Sequence, residues 1–179
     1  MPAAARNSRR PAADSQPVLT CRELVRTFGL FERVMQPHFA GFGISGSQWG
    51  VLRHLAVAEH AGRPGLRGAD LSERLLVRPP SVSGVVDRLV RAGLVERSGA
   101  PGDQRAKLVN LTDRGRRLVA RIHDAHVGQM AAVTAALRPE EQTHLQRLLA
   151  RLGRHLQHLL DETATRPADR LRPTEEPLP

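Results

Sequence analysis

The segment Pro79-Pro80-Ser81-Val82-Ser83-Gly84 gathers two hydroxyls, one small apolar side chain and a glycine at the point where a helix should begin. The chemistry on offer is recognition by hydrogen bonding. A serine hydroxyl both donates and accepts, so Ser81 and Ser83 suit base edges, and Val82 suits the methyl group of thymine. Arg78 and Pro80 flank this entry; two prolines lack donors that a first helical turn does not need. Gly84 gives up about 1 kcal/mol of helix propensity and admits close approach of backbone and phosphate. Val85, Val86, Leu89 and Val90 recur at helical spacing as a buried face, which leaves Arg88 and Arg91 for phosphates. Gly93 stands where a helix ends.

A basic hairpin is expected next. Strands over Leu94 to Arg97 and Lys107 to Leu111 flank the tip SGAPGDQRA. Arg97, Arg105 and Lys107 supply the charge. Asp103, two residues before Arg105, is placed to orient its guanidinium toward the narrow, negative minor groove. A helix offered to the major groove with a charged wing beside it is what this order predicts.

Other chemistry is sparse. The chain has no GxSxG, HExxH, phosphate loop or CxxC pair, so an enzyme is the weakest class and no cofactor is implied. The histidine pairs His123/His126 and His155/His158, the latter followed by Asp161, have spacings that a metal could use but are expected to be solvated helix faces. No metal is assigned. Cys21 would be the first residue of a helix capped by Thr20, where the helix dipole favours a reactive thiolate. A single cysteine excludes an internal disulfide framework and fits a reducing cytoplasm.

Helices must hold this apparatus. Thr20 with Glu23 reads as a capping box opening a first helix, with Leu24, Phe28, Phe31 and Met35 as its stripe. Ser45 with Gln48 opens a second, whose Trp49, Leu52, Leu55 and Ala56 face inward. A short helix over about Ala69 to Val77 completes a helix-turn-helix with the segment from Pro79. Thr112 caps a long helix to about Ala136, and Pro139, with Glu140 and Glu141, opens the last. Its Leu145, Leu148, Leu149, Leu152, Leu156 and Leu159/Leu160 make one continuous apolar face. Such a face suits either the domain's own core or a partner helix. The recognition helix favours the partner, because a two-fold dimer reads two half-sites of a palindromic operator.

The whole composition agrees. The formal net charge is +9, and residues 66–119 hold eleven basic against six acidic side chains, the footprint of a double-stranded DNA binder. No apolar run is long enough for a membrane span, so a soluble, cytoplasmic protein is expected. Residues 1–17 and 163–179, rich in Pro, Ala and charge, read as disordered tails around a domain at 18–162.

The stretch from Ser45 to Leu118 resembles the MarR (multiple antibiotic resistance regulator) family of winged-helix transcription factors. The matching pieces are SxSQW at 45–49, ADLSERL at 69–75, VxxPSVSxxVDRLVxxGLVER at 77–97, DQR at 103–105 and LTDRG at 111–115. The resemblance implies a mainly α fold with a small β-wing, a winged helix-turn-helix at about 45–118 flanked by N- and C-terminal dimerisation helices at about 18–38 and 112–162. It further implies a homodimer that acts, most often, as a ligand-responsive repressor of nearby genes. The effector, often a small aromatic acid or phenol, would bind where the winged helix meets the dimer helices; His38, Phe42, Trp49 and Arg53 are the lining candidates. Many relatives carry Arg at the position of Gly84, so the usual base contact at that step is missing. Cys21 lies at a spacing from Gln48 close to that of the peroxide-sensing branch of the family, which supports its cysteine with tyrosines. This chain has no tyrosine. Two alternatives therefore stand beside the ligand-responsive regulator: thiol-based sensing through Cys21, and nonspecific architectural DNA binding.

Overall fold

The computed structural model describes residues 15–100 and 103–165, and the side chains of all of these except 100, 103–106, 164 and 165. In chain order the elements are α1 (Gln16–Ala40), α2 (Gly46–His60), β1 (Leu66–Arg67), α3 (Gly68–Leu75), α4 (Pro79–Arg91), β2 (Val95–Ala100), β3 (Asp103–Leu111), α5 (Asp113–Thr134) and α6 (Pro139–Thr165). The fold is mainly helical with one small antiparallel sheet of order β1-β3-β2. The chain forms two compact units, Met1–Met130 and Ala131–Pro179. No helix among the described residues is long and apolar enough to cross a membrane.

In the first unit, local chemistry sets most of the helix ends. Ser45 Oγ accepts from the Gln48 N–H at 3.2 Å while Gln48 Oε1 accepts from the Ser45 N–H at 2.8 Å, so α2 begins on a complete capping box. The carboxylate of Asp70 accepts from the Arg67 N–H at 2.9 Å and closes the start of α3. Helix α4 opens on Arg78, Pro79 and Pro80 as expected and ends at Gly93, whose φ of +65° reverses the chain. The Leu94 N–H then reaches back to the Leu89 carbonyl at 3.0 Å. Thr112 joins two elements at once: its hydroxyl donates to the Gly93 carbonyl (2.8 Å) and accepts from the Gly115 N–H (3.1 Å). Gly115 sits so near the Leu94 carbonyl that no Cβ fits there, which accounts for the glycine of LTDRG.

The core of this unit runs from Val51, Leu52 and Leu55 of α2 through Leu66, Leu71 and Leu89 to Val95, Leu108 and Val109 of the sheet. Arg116 fastens α5 to α2, its Nε donating to Glu59 Oε1 at 2.7 Å and a second nitrogen meeting Asp113 at 2.8 Å. In the second unit, the Arg138 N–H and side chain both donate to Glu141, and Gln142 Nε2 donates to the carbonyls of Thr134 and Leu137, which sets the turn into α6.

Four expectations need correction. The first helix starts at Gln16, with Ser15 as its N-cap and Pro17 in its first turn, so residues 16 and 17 are not tail. Thr20 is no cap: its hydroxyl donates to the Gln16 carbonyl at 2.8 Å within the helix. Residues 163–165 likewise belong to α6. The strands are longer than expected, and a third, β1, pairs Leu66 with Val109. Residues 1–14 and 166–179 lie outside the described residues.

Candidate nucleic-acid interface and effector cleft

Helix α4 divides cleanly into two faces. Val85, Val86 and Leu89 are buried, as their spacing required, while Val90, expected with them, is only half-buried. Val82 joins them at 2% exposure, so the thymine-methyl role read from its type does not hold; it is the first apolar residue of the core face. Ser81, Ser83, Arg88 and Arg91 are exposed, as are Arg78 and Pro80 at the helix entry. Gly84 is half-buried. A Cβ built there would meet only an Arg88 guanidinium nitrogen, at 3.9 Å, so packing does not demand glycine.

The wing adjoins this helix through an ion pair. Arg97 of β2 donates to Asp87 Oδ1 of α4 at 2.7 Å, with both side chains about half exposed. That engagement corrects the expectation of Arg97 as a free basic contact: it ties the hairpin to the recognition helix and takes Asp87's charge out of play. A surface pair of this kind is worth at most about 1 kcal/mol, so its value lies in register more than in stability. Lys107 is exposed on β3, opposite Gly99. The side chains of Asp103 and Arg105, and with them the expected orienting contact, lie outside the described residues; their backbone belongs to β3.

A second feature lies between α1, α2 and α5 of the first unit. A cleft of about 760 Å³ is lined by Phe28, Phe31, Met35, Phe39, Trp49, Arg53 and His126, among others. Two of the four effector candidates, Trp49 and Arg53, line it. Among the described residues no carboxylate pairs with Arg53. His38 and Phe42 stand beside the cleft: the His38 ring meets those of Phe39 (5.2 Å), Phe42 (5.5 Å) and His126 (5.6 Å). Phe42 lies under the Arg121 guanidinium at 6.0 Å.

His126 is the residue that sequence reasoning missed. Read as half of a solvated pair with His123, it instead packs against Trp49 (5.7 Å) and Phe39 (6.1 Å). The signal was present, because His126 follows the fully buried Ile122 by one helical turn. Burial, and then the charges of His38, Arg53 and His123, hold its imidazole below the ordinary range. His38 Nε2 and His126 Nδ1 are buried without hydrogen-bond partners. Among the described residues no three His, Cys, Asp or Glu side chains converge as a metal set.

Cys21 is exposed and lies in the second turn of α1. The helix-start argument for a thiolate therefore lapses, since the dipole acts within the first turn.

Comparison with known proteins places these features in a wider set. A family profile described as MarR family matches residues 42–106. The HTH-type transcriptional regulator PecS of Dickeya dadantii is 29% identical over 148 residues, 82% of this chain and 87% of PecS. The HTH-type transcriptional regulator FarR of Neisseria gonorrhoeae is 32% identical over 111 residues, 62% of this chain and 73% of FarR. The crystal structure of wild-type MarR from E. coli in its apo form superposes with a TM-score of 0.63 at 25% identity, covering 74% of this chain and 95% of that one.

Proposed function

This chain belongs to the MarR family of helix-turn-helix transcriptional regulators, and from that membership we propose that it acts as a homodimeric, effector-responsive repressor reading a palindromic operator. It is a DNA-binding regulator, and its relatives are regulators, not enzymes. One observation carries the assignment of the reading surface. The first turn of α4 exposes Ser81 and Ser83 while Val82, Val85, Val86 and Leu89 fix the helix to the core. A helix anchored on one side and hydroxylated on the other can enter a major groove without unfolding anything. Arg78, Arg88, Arg91 and Lys107 supply the phosphate contacts that position it, and Arg105 of the wing sequence is assigned to the flanking minor groove.

The dimer is supported by apolar faces that each unit leaves open. Helix α1 exposes Leu24, Phe28 and Phe31, and α6 exposes Leu148, Leu149 and Leu156. A second copy is the partner that such faces fit, as two half-sites require. The effector reading is supported by the cleft beside α1. Its aromatic walls, with Arg53 as a cation, suit a small aromatic acid or phenol. Binding there would favour dimers whose recognition helices no longer match the ~34 Å repeat of B-DNA. The protein works in the cytoplasm, where its operator is.

The test is a binding assay on the DNA upstream of its own gene at physiological salt. We expect preference over scrambled duplex, and release by phenolic or aromatic carboxylic acids. Equal affinity for both duplexes would replace this reading by nonspecific architectural binding.

A further inference from the structure

The turn between α3 and α4 carries two apolar side chains that the core does not explain. Leu76 has φ +53° and ψ +38°, the one non-glycine residue in the left-handed region among those described. It is 78% exposed, and Val77 beside it is 45% exposed. Backbone alone closes the turn: the Leu76 N–H donates to the Glu73 carbonyl (3.2 Å) and the Val77 N–H to the Ser72 carbonyl (3.1 Å). Glycine adopts such a φ without penalty, and a polar side chain would face water better. Leucine at this point runs against both preferences.

Position supplies the reason. Val77 immediately precedes Arg78, the N-cap of α4, and exposed Ser81 follows four residues after Val77. Exposed Arg74 and Arg78 lie on either side of the pair in sequence, so the segment alternates cationic and apolar exposed side chains. A duplex offers the complementary pattern, with phosphates at the groove rims and base edges within. In the major groove the one apolar group on a base edge is the C5-methyl of thymine. Val82, whose type suited that contact, is buried.

We infer that Leu76 and Val77 pack on a thymine C5-methyl at the edge of each half-site and so impose a preference for thymine there. This rests on the DNA-reading surface proposed above and adds a specificity determinant to it.

The experiment begins with selection of duplexes from a random library by the full-length protein. The best duplex is then remade with deoxyuridine replacing each thymine in turn, which removes a methyl and leaves base pairing intact. At one position in each half-site the wild type should bind the uracil duplex about four-fold more weakly, the equivalent of one buried methyl. Leu76→Gly with Val77→Ser should bind both duplexes alike, as weakly as the wild type binds uracil. Its circular dichroism should match the wild type and its melting temperature should be no lower, because glycine relieves the turn. Equal wild-type binding to thymine and uracil at every position would overturn the inference, as would discrimination retained by the variant. A variant that binds neither duplex makes the pair structural and overturns it too. Failure to enrich any sequence would instead remove the regulator reading beneath it; enrichment without uracil sensitivity removes this inference alone.

Discussion

Helices α4 and α6 carry equally regular apolar stripes and use them differently. Val82, Val85, Val86 and Leu89 of α4 are buried within the chain, whereas Leu145, Leu148, Leu149, Leu156 and Leu159 of α6 are exposed. Periodicity states that a face must be covered and leaves open what covers it. Helix α4 finds α2, α3 and β2 within its own unit; α6 offers its face outward. On the dimer proposed above, the difference separates residues that hold a monomer together from residues that would meet a second copy. Paired substitutions break the comparison if it is wrong. Leu89→Ala should cost about 2–5 kcal/mol of unfolding free energy, the usual range for a large-to-small change in a core. Leu149→Glu with Leu156→Glu should instead give a helical monomer with much weakened operator binding, seen by sedimentation and circular dichroism. A dimer surviving the double charge would mean that α6 covers its leucines some other way.

Within α4 the same contrast applies between its two faces. Ser81→Ala with Ser83→Ala touches no core contact, so stability should hold. Base discrimination should fall by about 1–3 kcal/mol while total affinity changes less, since the arginines proposed to meet phosphates are unchanged. Binding titrations on matched and mismatched duplexes measure this. A uniform loss across all sequences would mean that the hydroxyls touch only backbone. Gly84→Ala comes next in size. With open space at its Cβ, alanine should raise stability by about 1 kcal/mol. If glycine is kept for close approach of the duplex, the same variant binds more weakly. A variant more stable and equally tight would show that nothing at this step needs glycine.

Where the chain's own chemistry is local, the fold could be read in advance. Ser45 with Gln48, the two prolines of α4, Gly93 and Thr112 each act within a few residues, and the structure places each as expected. Thr20 with Glu23 has the same pattern and fails, because the helix already begins at Gln16 with Pro17 in its first turn, which leaves Thr20 inside it. Val82 was misassigned for a related reason. Residue type suited a base contact, but only the packing of α4 decides which way the second exposed-looking position turns. Periodicity places a residue on an inward face, as it does for His126 one turn after Ile122, but it does not name the partner in a distant segment. Arg97 with Asp87, Arg116 with Glu59, and His126 with Trp49 each join different elements. The two-residue strand β1 is too short to leave a pattern.

His126 lets the buried cluster be tested without ligand. Its imidazole is held below the ordinary range, chiefly by burial and then by His38, Arg53 and His123; His54 is lowered likewise by burial, Arg53 and Arg74. A group with a lowered folded pKa takes up its proton more readily when unfolded. Unfolding therefore binds protons, and stability falls as pH drops below about 6.5. Thermal melts at about pH 7.5 and about pH 5.5 should show a smaller drop for His126→Phe than for the wild type. A residual drop should remain from His54. Equal drops in both proteins would place the titration elsewhere.

The smallest expected effect belongs to Cys21, and it contrasts the two ends of α1. The far end of the helix, at Met35 and Phe39, is buried against the rest of its unit; the near end, with Cys21, is exposed. A peroxide sensor needs a thiol made reactive by its surroundings and an oxidised state held by neighbours. The first condition is not supplied by the helix dipole, because α1 begins at Gln16 and Cys21 lies beyond its first turn. The second finds no tyrosine hydroxyl to serve it, since this chain has no tyrosine. Ser45 and Ser47 are no substitute, since their hydroxyls are 3.0 Å apart and Ser45 is committed to the cap of α2. Wild type and Cys21→Ser should therefore keep or release operator DNA alike under organic hydroperoxide. Selective release of the wild type, reversed by a thiol reductant, would reinstate the redox reading and make this exposed end of α1 the sensing end.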